Sequence, residues 1–268
     1  MPPGKSFLAT ALTTMACVVG SSAILLQNPI VKAADIKDEG DFSVIYETPQ
    51  NPEFAQLSQD LKKSNFYNEL VAWLNESYAL PQDIPIYFEE CGEENAFYDP
   101  SEVKISMCYE LIQKYVNIFA EGATSRDEYL AEVIDAGYFT LLHELGHALI
   151  DQYDLPVLGK EEDAVDNLAA ILLIDWDEAD SAISGMLQFA VDAEEEAEFE
   201  ELAYWDEHSL GEQRFYNMAC LIYGSDPATH EYLVTEEILP ESRAERCELE
   251  YAQASNSWNT LLEPYQKE

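Results

Sequence analysis

Apolar positions along the first hundred residues change rhythm several times. Phe42-Ser43-Val44-Ile45-Tyr46 is a β-branched and aromatic run closed by Pro49 and Pro52, which reads as a strand. Phe54, Leu57, Leu61, Leu70, Val71 and Leu74 then recur at helical spacing, predicting one helix over Glu53 to Tyr78. Ile84 to Phe88 is a second strand. Asn95-Ala96-Phe97-Tyr98 and Val103 to Met107 flank Asp99-Pro100-Ser101-Glu102, a type I turn sequence with proline at its second position, so a hairpin is expected. From Tyr109 onward the pattern is mostly helical. Helices are predicted over Asp127 to Tyr153, Glu161 to Ile174, Asp180 to Glu201, Gly211 to Tyr223 and Ser242 to Leu262. A small N-terminal sheet, antiparallel or mixed, thus precedes a helical half, which is an α+β order. No repeat or second boundary interrupts it, and residues 42–268 read as a single domain.

Residues 1–33 follow a different pattern. Lys5 precedes an apolar and small-residue stretch from Phe7 to Leu26, and Val31-Lys32-Ala33 resembles a cleavage site. This is the layout of a secretory signal peptide, with cleavage expected after Ala33 and an acidic linker over 34–41. The stretch is long enough to stay as an anchor, though Thr, Ser and Gly dilute it. Thr14-Met15-Ala16 is a poor lipidation box for Cys17. The expected location is therefore periplasmic, lumenal or extracellular, with no stable membrane insertion once the signal is removed.

Composition narrows the partners. The chain has 268 residues, 53 acidic against 13 basic, for a formal charge of −40. Such a surface repels phosphate backbones and anionic membranes, so nucleic acid is not an expected partner. It can favour cationic substrates, but a soluble acidic surface explains the charge without them. The Glu194-Glu195-Glu196 run reads as a solvated helix face. Export also gives the cysteines a role. After loss of Cys17, four remain, with three possible pairings. Cys91 and Cys108 lie nearly symmetrically about Asp99-Pro100, so a hairpin there brings them within disulfide reach, leaving Cys220 for Cys247. Close ligand spacing for a four-cysteine zinc site is absent.

Only four histidines occur, and two form His143-Glu144-Leu145-Gly146-His147. Residues four apart share a helix face, so both imidazoles can reach one zinc ion, with Glu144 placed as general base toward an activated water. The surrounding Thr140-Leu141-Leu142 and Ala148-Leu149 carry no charge, and a buried apolar helix has no other use for His, Glu and His. The alternative is a chance match with both rings satisfied in the core. No third histidine follows closely. Glu161-Glu162-Asp163-Ala164-Val165-Asp166 opens the next helix instead. Glu162 and Asp166 share a face, so Glu162 is preferred over Glu161 as third ligand, and Asp166 can orient a ligating imidazole. The macrodipole alone would account for acids in the first turn, but poorly for Asp166.

His143-Glu144-x-x-His147 followed by Glu162-x-x-x-Asp166 resembles the gluzincin pattern of thermolysin-type peptidases. The resemblance implies a zincin-like fold, one zinc ion held by His143, His147 and Glu162, and Asp166 behind a ligand. Asn95-Ala96-Phe97-Tyr98 resembles the edge strand that binds peptide substrate in that group, with Asn95 and Ala96 in the binding positions. His208 can play the part of the downstream histidine that donates to the oxyanion, or can be an exposed residue near a helix start; Arg214 and Tyr216 are alternatives for that role. His230 reads as a surface residue. Across most of the mature chain the sequence is similar to DUF4344, a bacterial family of unknown function grouped with metallopeptidases. The segments Cys91 to Pro100, Cys108 to Leu111, His143 to Ala148, Glu161 to Asp166, Asp206 to His208, Gln213 to Asn217 and Tyr223 to Pro227 carry that similarity. The expected activity is zinc-dependent hydrolysis of a peptide or protein. Two alternatives stand beside it: a non-catalytic, zinc-stabilised envelope binding protein, and a zinc hydrolase of a non-peptide amide or ester. Oligomeric state is not legible.

Overall fold

The computed structural model describes residues 36–120, 123–197 and 202–267. The expected signal peptide and the end of the helix expected to reach Glu201 lie outside the described residues. Strand β1 (Phe42–Tyr46) leads into α1 (Phe54–Ser64) and α2 (Phe66–Ser77), followed by β2 (Ile84–Glu89), β3 (Ala96–Asp99) and β4 (Lys104–Cys108). The expected single helix over 53–78 is two helices, because Asn65 adopts the left-handed conformation at φ 62°. Asparagine tolerates that region, and its amide donates to Glu69 Oε1 at 3.1 Å. Fully buried Tyr67 starts the second apolar stripe, while Phe66 turns outward.

The sheet is mixed, with strand order β1-β2-β4-β3. β1 and β4 run parallel to β2, and β3 is antiparallel to β4. Helices α1 and α2 form the crossover that a parallel β1–β2 pair requires. β3 is the open edge, and the Cys108 N–H donates to the Asn95 carbonyl at 3.2 Å. Bonded pairs therefore fall at Asn95 and Phe97, and the backbone groups of Ala96 and Tyr98 point away from β4. The hairpin turn is held by Asp99 Oδ1, which accepts from the Ser101 N–H at 2.8 Å and the Ser101 hydroxyl at 2.6 Å.

The helical half consists of α3 (Tyr109–Ala120), α4 (Arg126–Tyr153), α5 (Glu161–Asp175), α6 (Ala179–Glu196), α7 (Gly211–Ser225), α8 (Tyr232–Thr235), α9 (Glu241–Ala244) and α10 (Cys247–Leu262). The helix expected over 242–262 is thus divided between α9 and α10. α4 is the central element, packed against α3, α5, α6, β3 and β4. Leu141, Leu142, Leu145, Ala148 and Leu149 are all fully buried, so it is apolar almost all round at its C-terminal half. It ends at Asp154, which is left-handed at φ 51°, and the next N–H, of Leu155, caps the Ile150 carbonyl. Gly146 decides how closely α5 approaches. A Cβ there would sit 2.7 Å from Val165 Cγ1, so only glycine permits this contact.

Cys91 is bonded to Cys108 and Cys220 to Cys247, with Cα separations of 5.4 and 5.0 Å. The first bond is reached by a route other than simple hairpin pairing. Asn95, not Cys91, faces Cys108 across the ladder. The loop before β3 folds back instead, and Glu110 holds it by accepting from the N–H groups of Cys91 at 3.2 Å and Gly92 at 2.8 Å. Among the described residues no helix is long and apolar enough to cross a membrane.

Candidate metal centre

α4 presents His143 and His147 toward α5 and Glu144 toward β3, and the close approach at Gly146 brings Glu162 and Asp166 against the two rings. Glu162 is the meeting point. Its Oε2 lies 3.1 Å from His143 Nε2 and 3.0 Å from His208 Nε2, and its Oε1 lies 3.4 Å from His147 Nε2. Three imidazoles, two from α4 and one from the loop before α7, thus direct the same ring nitrogen at one carboxylate on α5. One donor atom each from His143, Glu162 and His208 lie within 4.8 Å of one another. Imidazole nitrogen with a carboxylate oxygen is a donor set suited to zinc. Convergence of three Nε2 atoms, with the opposite ring nitrogens held elsewhere, is the arrangement a cation would require.

Those other nitrogens have their own partners. His143 Nδ1 lies 2.8 Å from Asp166 Oδ1, and His147 Nδ1 lies 2.8 Å from Glu161 Oε1. His208 Nδ1 lies 3.3 Å from Asp206 Oδ1, which also accepts the His208 backbone N–H at 2.9 Å. Each ring is therefore oriented by a carboxylate. Asp166 is itself gripped by Arg214, whose Nε and Nη2 each donate to it at 2.7 Å. The guanidinium sits on the Phe189 ring at 3.9 Å. This two-pronged, stacked geometry is specific to arginine.

Protonation follows from these contacts. Burial opposes charge on His143, but hydrogen bonds from Asp166 and Glu162 outweigh it and raise its pKa to about 9. His147 is raised in the same way by Glu162 and Glu161 against burial. For His208 the hydrogen bond to Glu162 is the main cause of a raised pKa. Burial works against ionised Glu162, yet its three imidazole partners hold it well below the usual carboxylate range. Asp166 is also buried, and Arg214 nevertheless keeps it at about 2. Glu144 differs from both. Burial raises its pKa, and His143 and His147 only partly offset that. The outward-facing backbone of Tyr98 on β3 also contacts Glu144 and lowers its pKa.

The residues singled out in the sequence are therefore brought to one place. Asn95 and Ala96 line two cavities that also contain His143, Glu144 and His208. Glu161, the alternative third ligand, faces His147 Nδ1 on the side away from the convergence point. Arg214 is bonded to Asp166 rather than standing free as a donor. Tyr216 makes an edge contact with Phe215, and its side chain forms no hydrogen bond among the described residues. His230 is buried, contrary to its surface reading, at 7% exposure. Sequence reasoning missed Asp206, whose spacing two residues before His208 was the available signal. It also missed Lys160, whose ammonium binds the carbonyls of Asp206 and His208 at 3.0 and 2.9 Å and ties that loop to the start of α5.

A model of the DUF4344 family, described as "putative metallopeptidase", matches residues 46–262. The chain belongs to this family. Neither a curated protein nor a solved structure matches the chain. The family span includes the whole cluster on α4, α5 and α7, together with the β3 edge beside it.

Proposed function

We propose that the chain is an exported zinc peptidase that cleaves peptide bonds at the α4–α5 cluster, with His143, His147 and Glu162 as ligands of one zinc ion. The observation that carries this reading is the convergence of three Nε2 atoms on the Glu162 carboxylate, one residue from a buried Glu144 whose pKa is raised. Zinc at such a donor set supplies the Lewis acidity that activates water and polarises a scissile carbonyl. The chain's own groups do the rest. Glu144 takes the proton of the attacking water and delivers it to the leaving amine, and its burial brings its basicity nearer to the working pH. Asp166, held by Arg214, fixes the His143 ring. Asp206 accepts from His208 Nδ1, and His208 Nε2, which here bonds Glu162, would be released to donate to the oxyanion once Glu162 held the metal; one such donor is worth about 3 kcal/mol of transition-state stabilisation. The Ala96 carbonyl on the open β3 edge is placed to accept from an extended substrate, while Asn95 Oδ1 holds the Ala96 N–H at 3.0 Å. The two disulfides support an oxidising compartment and so the export part of this reading.

The test is metal analysis and turnover on one preparation. Purified protein lacking residues 1–33 should hold one zinc per chain and cleave members of a random peptide library. Glu144→Gln should keep the zinc and lose roughly two to four orders of magnitude in kcat. Absence of bound zinc after loading overturns the ligand assignment. Full activity of Glu144→Gln overturns the general-base role.

A further inference from the structure

Two cavities, of about 170 and 740 Å³, share Asn95, Ala96, His143, Glu144 and His208. The smaller runs toward α3 and α6, and the larger runs along β3 and the loop between α4 and α5. Their charged linings are unequal in a particular way. The cations are already engaged. Lys114 Nζ lies 3.0 Å from both Asp192 and Glu195, Lys160 holds two backbone carbonyls, and Arg214 grips Asp166. The acids are not. Among the described residues the carboxylates of Glu94, Asp154 and Glu207, all lining these cavities, have no hydrogen-bond or ion-pair partner. Asp151 accepts from Tyr98 and Gln152 through Oδ2 alone, leaving Oδ1 open.

An acidic outer surface needs no explanation beyond solubility. Glu94, Asp151, Asp154 and Glu207 are exposed but line the two cavities, so their field acts on whatever enters between these walls. We propose that the cleft selects peptides with Lys or Arg side chains on both sides of the scissile bond. This rests on the peptidase reading above and names its substrate class. The free acids lie in both cavities, Glu94 in the smaller and Asp154 and Glu207 in the larger, so the selection acts on both sides of Glu144. Ile150 and Leu155 line the larger cavity and suit the methylene stem of a basic side chain whose head reaches a carboxylate. An acidic side chain would meet no unengaged cation among the described lining residues.

The experiment uses one peptide frame with Lys, Ala or Glu flanking the cleavable bond. With zinc-loaded protein, kcat/KM should fall in that order, the Lys peptide exceeding the Ala peptide by about tenfold at low salt. The advantage should shrink as salt screens the field. The double variant Asp154→Asn with Glu207→Gln should move the Lys-to-Ala ratio toward one. Removing two acids outside the cavities, Glu236→Gln with Glu245→Gln, should leave the ratio as it was. In parallel, fluorescence anisotropy with Glu144→Gln reads binding of the same peptides without turnover, so selection is tested even if hydrolysis fails. Equal or weaker handling of the Lys peptide in both assays overturns the proposal, as does an equal effect of the two double variants. Loss of all hydrolysis with Lys-selective binding retained would instead overturn the peptidase reading.

Discussion

Arg214 touches no imidazole, yet it determines where one of them points. Its two bonds to Asp166 leave that carboxylate one orientation, and Asp166 in turn sets the His143 ring. Lysine can supply the charge but not the fork. Arg214→Lys should therefore lower zinc affinity about tenfold or more while the circular dichroism spectrum is unchanged; competition with a chromogenic chelator measures it. The same contacts set a pH dependence. The pKa of metal-free His143 is about 9, above its ordinary 6.5, so protonation stabilises the metal-free fold. That contribution is full below about pH 6.5 and is lost as pH rises through about 9. A ligating ring must be neutral, so zinc binding at pH 7 should release a proton from His143, and affinity should climb with pH until about 9. Calorimetry in buffers of different ionisation enthalpy reads the proton directly. Identical heats in all of them would remove His143 as a titrating ligand.

At the scale of elements, the site is a contact between two helices. Gly146 lies inside the histidine motif, but the structure gives it a packing task. Its missing side chain lets Val165 approach, and so brings Glu162 and Asp166 to the rings. Gly146→Ala removes a helix-weakening residue and would stabilise an isolated α4. In the protein it should instead destabilise by about 1–3 kcal/mol, because the added methyl drives the helices apart, and it should weaken zinc binding as well. Urea denaturation checks the first effect and chelator competition the second; a raised urea midpoint would contradict the packing argument. Helical periodicity located α4 and α5 because each is long and strongly apolar. It did not show the break at Asn65, where one left-handed residue interrupts an otherwise regular pattern. Nor did spacing about a turn show how Cys91 reaches Cys108. That depends on Glu110, a helix residue that anchors the intervening loop through two backbone N–H groups.

For the whole molecule, the charge of −40 and a cation bound at the proposed site would act on stability in opposite directions. Dense like charge favours expansion, and salt screens it. A bound cation would neutralise part of the charge where three histidines and five acids crowd together. Chelation of zinc should therefore lower the thermal midpoint by on the order of 10 °C, given about 4 kcal/mol of linkage at a thousandfold excess over Kd and the melting entropy of a chain this size. Added sodium chloride should recover part of that loss in the chelated protein and have less effect on the loaded one. Differential scanning calorimetry with and without chelator, at low and high salt, decides the point. A midpoint insensitive to the chelator would mean that the cluster holds no structural metal.

The linear sequence carried the α+β order and marked most residues of the cluster, though not Asp206 or Lys160. A helical repeat, an i, i+4 pair and an apolar run are local properties, set by backbone geometry within a few residues. It therefore marked His143, Glu144 and His147 as one face, and Glu162 and Asp166 as another. The order of strands, the open β3 edge and the partners of each ring nitrogen were decided only by the fold. Arg214 is 48 residues from Asp166, and Lys160 reaches carbonyls 46 and 48 residues away. No periodicity encodes such pairs, because they exist only once α5, α7 and the loop before α7 have packed around α4.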